Sequence, residues 1–147
     1  MTALAPISGA CLCGAVTVTM VPAVAEVHAC HCGQCRRWTG GAFLEIDAAP
    51  GTLKAQGPIV AYTSSDWAER AHCGACGSPL WYRLTQPGTD THAVSAGLFE
   101  NAAGFPLTKE IYVDRKPEGY AFAGNHRRMT EAEFLASIGV SAEGEGQ

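Results

Sequence analysis

The chain has 147 residues, of which 47% are hydrophobic and 16% charged, with a formal net charge of −4. A chain this long buries roughly 68–70% of its unfolded surface in one domain without help from metal or disulfides, and its composition excludes a disordered or fibrous protein. The acidic balance argues against a nucleic-acid partner, and no apolar run is long enough to span a bilayer, so no membrane segment is expected.

The first stretch is interrupted by Pro6, Cys11 and Gly14 and reads as no export signal, which predicts a cytoplasmic protein. The alternation Val16-Thr17-Val18-Thr19-Met20 predicts a half-buried strand. Similar short strands are expected over 43–46, 59–63, 80–84, 93–98 and 109–113. Gly and Pro clusters at 50–51, 57–58, 87–88 and 104–106 separate them at hairpin-like intervals. The expected fold class is therefore mainly β and antiparallel. One convincing helix begins at Thr130, with Glu133 at the capping-box position and Phe134, Leu135 and Ile138 along it before Gly139. Residues 1–140 read as a single domain, and the Gly/Glu-rich residues 141–147 as a flexible tail.

Seven cysteines stand at 11, 13, 30, 32, 35, 73 and 76. An odd number of closely spaced thiols, in a chain expected to stay in a reducing compartment, points to metal ligands rather than a disulfide framework. Cys11 and Cys13 lie two apart, so on extended backbone both thiols face the same way. Cys73-Gly74-Ala75-Cys76-Gly77 has the spacing of a zinc knuckle. Cys30, Cys32 and Cys35 combine both spacings within six residues, where a strand end running into a turn can present three thiolates to one ion. If the two separated pairs close a four-cysteine site, the triplet forms a three-ligand site whose fourth position falls to water, substrate or a histidine.

A purely structural alternative has a histidine completing the second tetrahedron. His31 is unsuited to that role, because between Cys30 and Cys32 its side chain points to the opposite face. His28, His72, His92 and His126 stay outside the expected site, since a lone histidine is more often a packed or surface residue. A redox dithiol at Cys32/Cys35 or Cys73/Cys76 lacks the βαβ context of such motifs. A nucleic-acid zinc ribbon would leave Cys11, Cys13 and Cys30 without a purpose. Iron also suits thiolates and is the main competing metal.

The order Gly9-x-Cys11-x-Cys13-Gly14-x-Val16, then Cys30-His31-Cys32-x-x-Cys35-Arg36-x-x-x-Gly40, then Cys73-x-x-Cys76-Gly77-x-x-Leu80, resembles the glutathione-dependent formaldehyde-activating enzyme family, also named for centromere protein V. The likeness extends to Ile111-Tyr112-Val113-Asp114, similar to the family's late aromatic strand. The resemblance implies an antiparallel β-tent built around two zinc sites. Cys11, Cys13, Cys73 and Cys76 would hold the structural ion, and Cys30, Cys32 and Cys35 the catalytic one. It implies a carbon–sulfur lyase that reversibly joins formaldehyde and glutathione as S-hydroxymethylglutathione, with a small-molecule thiol and an aldehyde as substrates. The alternative is a noncatalytic zinc module that binds another macromolecule.

Three thiolates around Zn²⁺ carry a net charge of about −1, which makes a poor activator of water. Such a site is better suited to holding an incoming thiolate for attack on an aldehyde carbon. Arg36 is a candidate to offset that charge or anchor a substrate carboxylate, against the plainer reading of a solvated arginine. Trp38, Thr39 and Phe43 are candidates to line a pocket there, with core packing favoured for Phe43. Asp114-Arg115 is explained equally well by a turn or an exposed ion pair.

Overall fold

A computed structural model describes residues 4–139; the segment read as a tail, 141–147, lies outside them. In chain order the elements are β1 (Ile7–Ala10), β2 (Thr17–Met20), β3 (Val27–Cys30), α1 (Gly33–Thr39), β4 (Phe43–Asp47), β5 (Lys54–Gln56), β6 (Ile59–Ser65), β7 (Ala68–Cys73), β8 (Pro79–Leu84), β9 (His92–Ser95), β10 (Leu107–Ile111), β11 (Arg127–Met129) and α2 (Glu131–Ser137). The fold is mainly β with a short C-terminal helix, as the sequence implied. The described residues form two compact units, one from residues 4–27 and 45–106, the other from 28–44 and 107–139.

In the first unit β2 lies between β1 and β5, antiparallel to both, with Gly9 opposite Val18 and Val18 opposite Ala55. The alternation that announced β2 is realised: Val18 and Met20 are buried while Thr17 and Thr19 face solvent. Strands β6, β7, β8 and β9 pair antiparallel in sequence order, and Ile46 of β4 lies opposite Val94 of β9. Ile46, Leu80 and Val94 are completely buried and make the centre of this unit's core. The strand expected over 93–98 ends early, because Ala96–Leu98 winds into a 3-10 turn.

Two backbone features of this unit carry opposite consequences. A Cβ on Gly9 would sit 2.2 Å from the Leu98 carbonyl oxygen, so only glycine lets these two segments approach. After Phe99 the chain makes a left-handed turn in which Asn101, Ala102 and Ala103 all have positive φ, at 53°, 48° and 58°. Left-handed backbone costs an L residue roughly 1–2 kcal/mol.

In the second unit β10 neighbours β3, and the His31 amide donates to the Ile111 carbonyl at 3.1 Å. β11 joins β10 in parallel, with Ile111 opposite Met129, a departure from the all-antiparallel expectation. The chain reaches β11 from β10 through a long excursion over residues 112–126, which removes the hairpin constraint that would enforce antiparallel pairing. Helix α2 begins as expected. The Thr130 side chain accepts from the Glu133 amide, and the Glu133 carboxylate accepts from the Thr130 amide. Leu135 is buried, and the Phe134 ring lies 5.8 Å from that of Tyr112. Asp114 and Arg115 anchor this helix: the Glu131 amide donates to Asp114 Oδ1 at 2.9 Å, and Arg115 Nη2 donates to Glu131 Oε1 at 2.6 Å. Their role is structural.

Gly9→Ala is expected to destabilise the protein by about 1–3 kcal/mol through overpacking, whereas Ala103→Gly should stabilise it by up to about 1 kcal/mol by relieving the left-handed strain. Urea unfolding midpoints of the two variants should shift in opposite directions from wild type.

Candidate metal centres

Cys11 follows β1, Cys73 ends β7, and the turns after them supply Cys13 and Cys76. The four sulfurs all lie within 4.8 Å of one another, although 60 residues separate Cys13 from Cys73. Cys11 and Cys13 sulfurs are 3.7 Å apart, and those of Cys13 and Cys73 are 3.8 Å apart. A tetrahedral zinc with ~2.3 Å bonds to sulfur has sulfur–sulfur edges of about 3.8 Å. The donor set and its spacing therefore fit a zinc ion. Leu12 is 88% exposed, and residues 12–13 form a turn rather than the extended backbone the spacing suggested, so the turn and not strand parity brings the Cys11 and Cys13 sulfurs together.

The two turns are built alike. The Gly14 amide donates to the Cys11 carbonyl and the Gly77 amide to the Cys73 carbonyl, and both glycines have φ of 80°. Backbone amides aim at the sulfurs: Val16 donates to Cys11 Sγ at 3.2 Å, and Ala75 and Cys76 to Cys73 Sγ at 3.3 and 3.4 Å. Ser78 links the turns, because its Oγ accepts from the Leu12 amide at 3.1 Å and lies 3.2 Å from Cys76 Sγ. Ser78 was not singled out from the sequence, and a serine two residues after a knuckle is the only signal that could have pointed to it.

Without a cation these thiols compete for charge. Hydrogen bonds from the Ser78 side chain and backbone pull Cys76 down to about 5. The Val16 amide lowers Cys11. Cys13 receives a favourable bond from the Ala15 amide, yet desolvation and the neighbouring thiols push it up to about 11. Such splitting is what close, coupled acids produce, and a bound cation would remove it.

The second group, Cys30, Cys32 and Cys35, lies wholly in the second unit, again with all sulfurs within 4.8 Å of one another. Cys30 ends β3, Cys32 caps α1, and Cys35 sits inside α1. The helix is what folds Cys35 back onto Cys32: the Cys35 amide donates to Cys32 Sγ at 3.3 Å. Cys32 and Cys35 are buried and Cys30 is half-buried. Hydrogen bonds with Cys32 and Cys35, reinforced by burial, hold the Cys30 thiol well above its usual pKa. Among the described residues no fourth Cys, His, Asp or Glu joins this set. Three clustered soft donors fit a metal with one position left for something other than these side chains.

His31 faces away from its flanking cysteines, as its position between them required. It is buried, its Nε2 lies 2.7 Å from Glu110 Oε1, and its ring lies 5.6 Å from that of Phe122. The other Glu110 oxygen bonds His126 Nε2 and lies 3.1 Å from Arg128 Nε. Burial alone would raise the pKa of Glu110, but hydrogen bonds and attraction from His126 and His31 outweigh it and hold the carboxyl below its usual range. Sequence reasoning missed this hub, because 79 residues separate Glu110 from His31. Arg36 is half-buried and Arg37 exposed on α1. The Trp38 and Phe43 rings pack at 4.8 Å, with Phe43 buried and Trp38 half-exposed.

A mainly β chain with one four-thiol group and one three-thiol group defines a class of cysteine-cluster proteins whose thiols could hold metal. The chain belongs to the glutathione-dependent formaldehyde-activating enzyme family, whose sequence pattern matches residues 6–115. It is 29% identical over 131 residues to an uncharacterized lyase of Schizosaccharomyces pombe, an alignment covering 88% of this chain and 95% of that protein. A crystal structure of a Rhodobacter sphaeroides protein shares the fold, with a TM-score of 0.55 and 21% identity over 69% of this chain and all of that one.

Replacing Glu110 should expose how far the second unit depends on its buried charge. Glu110→Gln is expected to cost about 3–5 kcal/mol, the usual loss when one partner of a buried ion pair is removed. Urea unfolding at neutral pH measures it, and a loss below about 1 kcal/mol would mean the contacts are not charge-bearing.

Proposed function

We propose that the chain is a zinc-dependent carbon–sulfur lyase of the S-(hydroxymethyl)glutathione synthase type, which joins and separates a small-molecule thiol and an aldehyde. The observation that carries this reading is the three-thiol group, which among the described residues has no fourth ligating side chain, in a member of the formaldehyde-activating family. The lyase description of the fission-yeast relative supports the same reaction class. Glutathione and formaldehyde are the substrates to which the family description points.

In this reading Cys11, Cys13, Cys73 and Cys76 hold a structural zinc, and Cys30, Cys32 and Cys35 hold a second. The second ion, when bound, supplies the positive charge that favours a thiolate over a thiol at neutral pH. The cysteines themselves contribute geometry. Cys32 is fixed by the Cys35 amide, and Cys30 by its strand, so the three sulfurs are pre-placed around one point before substrate arrives. In the reaction the thiol sulfur forms a bond to the carbonyl carbon, the carbonyl π bond breaks, and the thiol proton ends on the resulting hydroxyl. The reverse breaks that carbon–sulfur bond and returns both reactants.

Protein purified under reducing conditions should contain two zinc ions per chain by elemental analysis. Cys73→Ser should unfold or aggregate, since structural zinc contributes apparent free energies of ~10–16 kcal/mol in small peptides. Cys35→Ser should stay folded, retain one zinc and lose thiol–aldehyde exchange, followed by NMR as an exchange rate above the uncatalysed one. If zinc-replete wild type accelerates no such exchange, the chain is better read as a noncatalytic zinc module.

A further inference from the structure

Arg36 and Arg37 directly follow Cys35, and their side chains lean back along α1 toward its first turn. Arg37 Nη1 donates to the Gly33 carbonyl at 3.3 Å. A Cβ placed on Gly33 would lie 3.0 Å from Arg37 Nη1 and 3.7 Å from Arg36 Nη2. Two guanidinium groups thus meet over one glycine, which in the chain lies between Cys32 and Cys35.

Among the described residues neither guanidinium is paired with a carboxylate, whereas Arg83, Arg115 and Arg128 each reach one. Adjacent cations without a counter-charge repel, and an anion shared between them removes that cost. The guanidinium fork matches a carboxylate better than any other side chain does. Arg37 spends one of its five N–H donors on Gly33, and among the described residues no side-chain hydrogen bond engages the Arg36 guanidinium, so both have donors to offer.

The glycine explains itself in the same terms. Gly33 is buried, and its φ lies outside the left-handed region, so its backbone would accept any L residue. Alanine would even favour the helix. What a methyl group there would take is the space in which the Arg37 guanidinium lies.

We propose that Arg36 and Arg37 form a carboxylate clamp over Gly33, which selects carboxylate-bearing thiols for the three-cysteine site. The assignment rests on the thiol–aldehyde reading above and deepens it. Charge supports it: three thiolates and one divalent cation would leave about −1, and two guanidinium groups bring the total to about +1, which favours an anionic ligand.

The test separates binding from catalysis by using S-methylglutathione, a thioether that keeps both carboxylates but has no thiol, and its diethyl ester. Each is titrated into zinc-loaded full-length protein and followed by calorimetry and by the Arg Nε–Hε signals in NMR. Wild type should bind the acid about tenfold or more tightly than the ester, as expected for a charge-assisted contact. Arg37→Gln and Gly33→Ala should each reduce that preference to threefold or less, with Gly33→Ala no less resistant to urea than wild type. Equal binding of acid and ester, binding of neither at millimolar concentration, or full preference retained in both variants would overturn the clamp. Failure of the reaction assignment looks different: no exchange is then catalysed with glutathione or with neutral 2-mercaptoethanol, while the acid is still preferred in the titration.

Discussion

Sulfurs 3.7–3.8 Å apart impose the constraint on which the first unit depends. At that spacing the thiols of Cys11, Cys13, Cys73 and Cys76 cannot all carry charge without a cation, and the opposed shifts of Cys13 and Cys76 express that competition. Backbone amides and Ser78 oppose that competition by favouring the charged form of individual sulfurs. Two glycine turns of the same shape bring amides onto Cys11 and Cys73, and Ser78 ties one turn to the other. The strands deliver the turns: Cys11 lies one residue past β1 and Cys73 closes β7. A metal at this point would join segments far apart in sequence, and so would restrict the unfolded chain as well as support the folded one.

The second unit solves a different problem within six residues. Cys30 and Cys32 face one way and His31 the other, so one short segment serves both a thiol cluster and a buried ion network. Glu110 joins that segment to His126 and Arg128. The carboxylate is buried and tolerates burial because both of its oxygens are engaged by basic side chains. Its position on β10 ties the strand, the segment carrying His126 and the base of the triplet into one charge-balanced hub. Such a hub holds the cysteine backbone in place without contributing a donor to the cluster.

The two thiol groups differ in a way that bears on chemistry. Four donors complete a tetrahedron and leave no room for exchange, while three leave a position for a ligand that comes and goes. The proposed arginine clamp gives that position a direction. A thiol held by its carboxylate over Gly33 would present its sulfur toward Cys32 and Cys35, so that affinity is drawn from a part of the substrate that does not react.

The sequence by itself determined what local spacing and local capping control. The parity of Cys30 and Cys32 is a property of extended backbone, the knuckle at Cys73 and Cys76 of a four-residue turn, and the start of α2 of the Thr130–Glu133 reciprocal bonds, whereas Cys11 and Cys13, read from their spacing as extended, meet through a turn. Helix α1 was hidden because it is only seven residues long and is capped by Cys32 rather than by Ser, Thr, Asp or Asn. Strand β7 was hidden because Ala68-Glu69-Arg70-Ala71-His72-Cys73 carries no β-branched residue, and its neighbours on both sides supply the pairing instead. Only tertiary structure decided that β11 pairs in parallel, that Ser78 reaches both turns, and that Glu110 meets His31, His126 and Arg128. Those contacts join residues distant in the chain, and no local preference for backbone or side chain encodes which distant partner will arrive.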